Sequence, residues 1–124
     1  VYFTYGMHHC ANAVCGDEGE SSAVLLRALA PLEGLEEMRA ARGPAARRDR
    51  DLCSGPAKLC QAFGIDRGQD GVDLVSGEDV GVFDDGTPPP TEVGVSRRVG
   101  ISVAVEAPWR WFVPGDPNVS GTPR

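Results

Sequence analysis

Residues 1–29 decide the fold: VYFTYGMHHCANAV (1–14), a polar turn CGDEGESS (15–22), then AVLLRAL (23–29). Apolar, aromatic and β-branched residues flank a centre of Gly, Ser and acids, which predicts a hairpin. Tyr2 and Tyr5 sit three apart, so in an extended strand their rings point to opposite faces. Gly6 follows Tyr5 at once, which puts one ring toward an interior and the other outside, at a turn tip. Arg27 interrupts the apolar run of Val24, Leu25, Leu26, Ala28 and Leu29. A charge in such a run must find a partner or a site. The hairpin is therefore either a core element with a salt-bridged arginine or the floor of a pocket, and the residues alone leave both open.

Outward from the hairpin, Pro31 begins a helical pattern that stops at Gly43. Leu32, Leu35 and Met38 give its apolar side, Glu33 and Glu36 favour its start, and Arg39 and Arg42 its last turn. Residues 43–51, GPAARRDRD, read as a basic loop. A second helix is expected with Ser54 as its cap, Pro56 in the first turn and Gly64 as the stop. Leu59, Cys60 and Phe63 form its core stripe. Lys58 points away from that stripe, beside the free N–H groups of the helix start. That arrangement is either a phosphate clamp or an exposed lysine on an ordinary helix.

Further on, Val72–Val75 and Val80–Phe83 are weak strand candidates, separated from the rest by a loop containing three consecutive prolines. Val99–Val105 alternates like a strand. In the aromatic stretch Trp109–Val113, Trp109, Trp111 and Val113 share one face, and Arg110 and Phe112 take the other. Strands, then helices, then strands predict an α+β single domain over residues 1–124, with a mixed, mainly antiparallel curved sheet and a few short helices.

Length and composition bound the rest. A chain of 124 residues with 24% charged and 41% hydrophobic residues is ordinary for one globular domain. Sixteen Gly and ten Pro leave little room for long elements. No apolar run approaches the ~20 residues of a membrane span, and no signal-peptide pattern opens the chain. The expected location is intracellular. The net charge of −6 argues against non-specific nucleic-acid binding, yet six of the twelve basic residues fall between Arg39 and Lys58. A local basic face of this kind can hold a phosphate backbone. The equally available reading is a solvated helix end. The four cysteines (Cys10, Cys15, Cys53, Cys60) lack zinc-module spacing, and His8 and His9 point to opposite strand faces. They are read as free thiols serving as small hydrophobes, and no metal is expected.

Four blocks carry a resemblance: YGMHHCAN, LLRALAPLEGLEEMR, DLCSGPAKLCQAFGI and WFVPGDPNVSG. In this order, and covering most of the chain, they resemble the alkyladenine (3-methyladenine) DNA glycosylase family. The resemblance implies a monofunctional enzyme of base-excision repair. It rotates an alkylated purine out of double-stranded DNA and hydrolyses the glycosidic bond with an activated water, without metal or cofactor. It implies Tyr5 as the intercalating residue, Met7 as a further wedge, and Tyr2 as an aromatic wall for a cationic base. It implies Asn12 as the side chain that crowds out guanine, and Arg27 as the residue that holds the water and the general base. His8 and Lys58 are expected at the DNA backbone, where for His8 a plain strand histidine is the competing reading. The family's catalytic glutamate lies in a segment preceding this hairpin. The expectation is therefore an amino-terminally truncated, monomeric chain that is incomplete for catalysis. The alternative is a non-catalytic damaged-DNA-binding remnant of the same fold.

Overall fold

In a computed structural model, which describes residues 1–4 and 7–121, the opening stretch forms two hairpins instead of one. β1 (Tyr2–Thr4) runs antiparallel to β2 (His8–Cys10), with Tyr2 opposite Cys10 and Thr4 opposite His8. The Met7 N–H donates to the Thr4 carbonyl at 3.2 Å, so the chain reverses before a long strand can form. β3 (Asn12–Cys15) pairs antiparallel with β4 (Ser22–Leu25), Asn12 facing Leu25. The turn between them is the acidic, glycine-rich one expected; Gly16 and Gly19 take φ of 91° and 87°, values that side chains resist. β4 ends earlier than expected, at Leu25. The next residues are held by other partners: the Leu26 N–H donates to Ala11 O at 3.0 Å and the Leu29 N–H to Cys53 O at 3.1 Å.

The first helix, α1 (Leu35–Arg42), begins four residues later than the sequence pattern implies. Gly34 sits at its amino end with φ 73°, a left-handed conformation that cannot be part of a right-handed helix. Leu32 is consequently 80% exposed, and of the expected apolar side only Met38 is fully buried. Arg42 in the last turn ties down the loop that follows: its Nε donates to Leu52 O at 3.0 Å and Nη2 to Asp51 O at 3.3 Å. α2 (Pro56–Phe63) has Pro56 in its first turn as expected, but Gly55 occupies the cap position and no side chain caps the helix. Ser54 is buried beside it, its hydroxyl 3.5 Å from Lys58 Nζ. Gly64 closes α2 with φ 65°, and the Ile65 N–H returns to Cys60 O at 2.8 Å.

Two small clusters make the core. Met38, Ala46, Leu52, Cys53 and Ala62 pack between the helices. Ala11, Leu59, Cys60 and Ile65 pack where α2 meets the first hairpin, with Val1, Leu26 and Val80 against them. Cys10, Cys53 and Cys60 are buried free thiols, whereas Cys15 is exposed. Burial pushes the Cys53 and Cys60 thiols up from their ordinary pKa. Phe63 departs from the expected stripe, remaining 48% exposed.

The strands expected at Val72–Val75, Val80–Phe83 and Val99–Val105 do not form. The Asp73 carboxylate accepts the Val75 and Ser76 N–H groups at 2.9 and 3.3 Å, which bends the first into a turn. The second carries the Phe83 ring back over Gly77 and Gly81, where an added Cβ would lie 2.3 and 2.6 Å from it. The third bends at Ala104, whose φ is 53°, and the Ala107 N–H closes a turn onto its carbonyl. What does pair is β5 (Gly94–Ser96) with β6 (Arg110–Phe112), antiparallel, Ser96 opposite Arg110. The faces of β6 fall as its alternation implies: Trp109 and Trp111 are both 61% exposed and Arg110 is 4% exposed. The class is α+β with every strand pair antiparallel, the strands being divided among three two-stranded ribbons. No described helix is long and apolar enough to cross a membrane.

Candidate functional site

The short join between β2 and β3, residues 10–12, gathers three of the site residues that the sequence singles out. Tyr2 lies across the ladder from Cys10. Asn12 begins β3, half-buried, opposite Leu25. Arg27 follows two residues beyond that pairing, after Leu26 has bonded to Ala11. Cys10 and Ala11 are buried against α2, so this join is fixed from beneath. Tyr2 is 40% exposed and is not an interior ring.

Arg27 is half-buried, and its Nη1 donates to Val99 O at 3.5 Å. Burial and the positive charge of Arg110 hold its pKa below the ordinary arginine value, the Cys10 thiol opposing them. No ion pair to Arg27 exists among the described residues. The sequence pattern did not single out Arg110 for a role. Its signal was present: a charge on the face of β6 opposite two tryptophans. Its guanidinium donates to Ser96 Oγ at 3.3 Å and to the carbonyls of Ser120 and Gly121, and stands 5.1 Å from the Phe112 ring.

The expected DNA-binding residues that the structure describes are exposed. Met7 is 71% exposed at the end of the first hairpin, and His8 beside it is exposed. His9 is half-buried and stacks at a tilt on Phe3, ring centroids 4.8 Å apart. Tyr5 lies outside the described residues. Lys58 is exposed on α2 and borders a shallow concavity with Arg42, Ala45, Arg47, Arg48 and Asp51. Part of the basic run is committed to structure: Arg39 bonds Glu36 and Asp49, Arg48 bonds Asp51 at 2.9 Å, and Arg42 holds backbone carbonyls. Arg47 and Lys58 make no ion pair among the described residues and supply the concavity with uncommitted charge. Among the described residues no group of three or more metal-ligating side chains exists.

Comparison with known proteins adds a family. The model of the methylpurine-DNA glycosylase family matches residues 1–117. A relative from Burkholderia lata is 57% identical over 122 residues, 98% of this chain and 58% of the relative. One from Rubrobacter xylanophilus is 48% identical over 124 residues, the whole of this chain and 62% of the relative. One from Streptomyces avermitilis is 47% identical over 123 residues, 97% of this chain and 57% of the relative. Each bears the name "Putative 3-methyladenine DNA glycosylase". The chain thus spans about three-fifths of the length of the curated relatives it matches.

Proposed function

We propose, from the premise that this chain belongs to the methylpurine-DNA glycosylase family, that it carries the base-recognition half of a DNA-3-methyladenine glycosylase. Its partner is double-stranded DNA holding an alkylated purine. The observation that supports the reading is the placement of Tyr2, Asn12 and Arg27 around residues 10–12, on a hairpin whose other end exposes Met7.

Each side chain has a task that its chemistry fits. A base stacked in a duplex is reached by rotating it out and filling the gap. Tyr5, with Met7 beside it, fills that gap. The electron-rich face of Tyr2 attracts a methylated purine, which is cationic, over a neutral one. Asn12 crowds the pocket against the exocyclic amino group of guanine, a repulsive element that binding contacts alone do not supply. Arg27 donates to the attacking water and to a carboxylate that takes its proton. We assign that carboxylate to none of the chain's eighteen acids. His8 and Lys58 contact phosphates. The protein acts as a monomer.

A second reading, a damaged-DNA binder that performs no chemistry, is favoured by one observation. The charged and titratable neighbours that act on Arg27 are Arg110 and Cys10, with no carboxylate among them. One experiment separates the readings. Release of 3-methyladenine from methylated duplex DNA is measured alongside affinity for an abasic-site duplex, for this chain and for the longer Burkholderia lata relative. The glycosylase reading expects release by the relative, and by both a preference for the abasic duplex that Tyr5→Ala abolishes. Binding by this chain without release by either protein would move the assignment to the binder. Equal affinity for abasic and undamaged duplex would remove both.

A further inference from the structure

The first hairpin has two faces, and the site described above uses only one of them. Residues opposite each other in an antiparallel pair project to the same side. Tyr2 and Thr4 therefore share a face with Cys10 and His8, and Phe3 shares the other with His9. The first is the inner face: Cys10 is buried on it, and β2 packs on α2. The second turns outward, with Phe3 46% exposed and His9 half-buried.

The outer face carries a positioned donor. The His9 and Phe3 rings stack with centroids 4.8 Å apart and an interplanar angle of 48°. A cross-strand aromatic pair stabilises a hairpin and fixes the ring that it holds. Stacking leaves the ring nitrogens unspent. Among the described residues His9 makes no hydrogen bond or ion pair, and no buried polar side-chain atom lacks a partner, so those nitrogens open to solvent. An imidazole carries at least one N–H in either protonation state. The pair therefore holds an oriented donor that the fold itself does not use.

We propose that His9 is a DNA-binding residue that donates to a phosphate of the strand opposite the damaged one, with Phe3 as the positioning residue that holds its ring. The assignment rests on the glycosylase reading, which puts the hairpin tip into the gap left by the rotated base. In that reading the rotated base lies against Tyr2, so the face of Tyr2 and His8 belongs to the damaged strand. The reverse face, with His9, then meets the complementary strand. The reach is adequate. His9 is two residues beyond Met7, about 7 Å along a strand, and each DNA strand offers a phosphate per about 3.4 Å of rise. The hairpin thus presents one imidazole to each strand of the duplex.

The test places one neutral methylphosphonate at a time in either strand of an abasic-site duplex and measures affinity. For the native chain, one position in the complementary strand, within about two nucleotides of the unpaired base, is expected to cost about tenfold, the size of one hydrogen bond to a charged group. His9→Phe keeps a ring on Phe3 but loses the donor. It is expected to bind the unsubstituted duplex about tenfold more weakly and to be indifferent to that methylphosphonate. His9→Gln keeps an N–H donor and is expected to keep the sensitivity, and Phe3→Leu to reduce it with His9 still in place. Each variant is compared with itself on two duplexes, so a change in stability cancels. A methylphosphonate cost that survives intact in His9→Phe would overturn the assignment, as would a His9-coupled position in the damaged strand. Either result leaves the glycosylase reading standing. Equal affinity of the native chain for abasic and undamaged duplex would instead remove that reading, and this assignment with it.

Discussion

The two halves of the chain are built on different terms. Between Met38 and Ile65 lie eight of the ten buried hydrophobic residues, whereas from Asp66 to Gly121 the only buried residue described is Arg110. The first half closes on itself through Leu52, Cys53, Leu59 and Cys60, each at most 1% exposed. The second is loops around one ribbon, with Val95, Trp109, Trp111 and Phe83 between 53% and 72% exposed. The accessible surface of the chain shows the consequence. It is 8978 Å², whereas a compact monomer of 13.1 kDa exposes about 6,400 Å² by the usual scaling. The difference teaches that apolar burial holds the helices, while turns, Asx bonds and one buried arginine shape the rest.

The largest effect is expected where the closed half is cut. Leu59→Ala removes a side chain 1% exposed at the contact between α2 and the first hairpin. Loss of its transfer energy plus the cavity left behind costs about 2–5 kcal/mol, read as a lower urea midpoint. Because Ala11 sits in the same cluster, the change also loosens residues 10–12, and abasic-duplex affinity falls with stability. Trp111→Thr in the open half removes a larger side chain, yet at an exposed position the expected change is within about 0.5 kcal/mol. Equal losses at the two positions would break the contrast, since they would mean that Trp111 is covered in solution.

A smaller effect tests the one ribbon that gives the open half its order. Gly94 lies under the Phe112 ring, and a Cβ added there would stand 2.4 Å from two ring atoms. Gly94→Ala must therefore displace Phe112, at a cost of about 1–3 kcal/mol. The ring stands beside the Arg110 guanidinium, so the displacement is expected to disturb the Arg110 bonds to Ser96, Ser120 and Gly121 before it disturbs the helices. Hydrogen exchange reads this directly: amides of β5 and β6 lose protection while those of α2 keep theirs. Uniform loss across both halves would show one cooperative unit in place of two.

How far the sequence was legible follows the same division. α2 was readable because three local signals agreed, Pro56 at the start, the Leu59–Cys60 stripe within and Gly64 at the end. α1 was readable in its end but not its start, because Gly34 in a left-handed conformation overrides a periodicity that runs through it from Leu32. The strands assigned to 72–75, 80–83 and 99–105 failed for a common reason. Valines alternating with polar residues look like strand, but a strand needs a neighbour, and Asp73, Gly77 and Ala104 turn the chain locally before one is met. The candidate site residues of 1–29 could be singled out by type, but not the pairing that sets Tyr2 across from Cys10, because it depends on a reversal at Thr4–Met7 that splits one apparent strand into two. Arg110 was legible as an oddity only.

The smallest effect sharpens the comparison from the charged side. The Asp51 carboxyl accepts from Arg48 Nε at 2.9 Å and from the Arg48 backbone N–H at 3.1 Å, and that side-chain bond, above all, holds its pKa below the ordinary carboxylate value. A carboxylate whose folded pKa is depressed binds fewer protons folded than unfolded near that pH. Its contribution is therefore complete above the unfolded pKa of about 3.9 and is lost as pH falls through the folded value. Both partners are solvent-accessible, so salt screens the pair and the contribution is minor. Acid titration of the urea midpoint in low salt should fall more steeply below about pH 4 in the native chain than in Asp51→Asn, and 1 M salt should bring the two curves together. The pair closes the turn beneath Leu52 and Cys53, so its loss bears on the helical half alone. If abasic-duplex binding at neutral pH weakens in Asp51→Asn, the basic concavity and the packed core are one device, and the line drawn between the two halves moves to include the loop that joins α1 to α2.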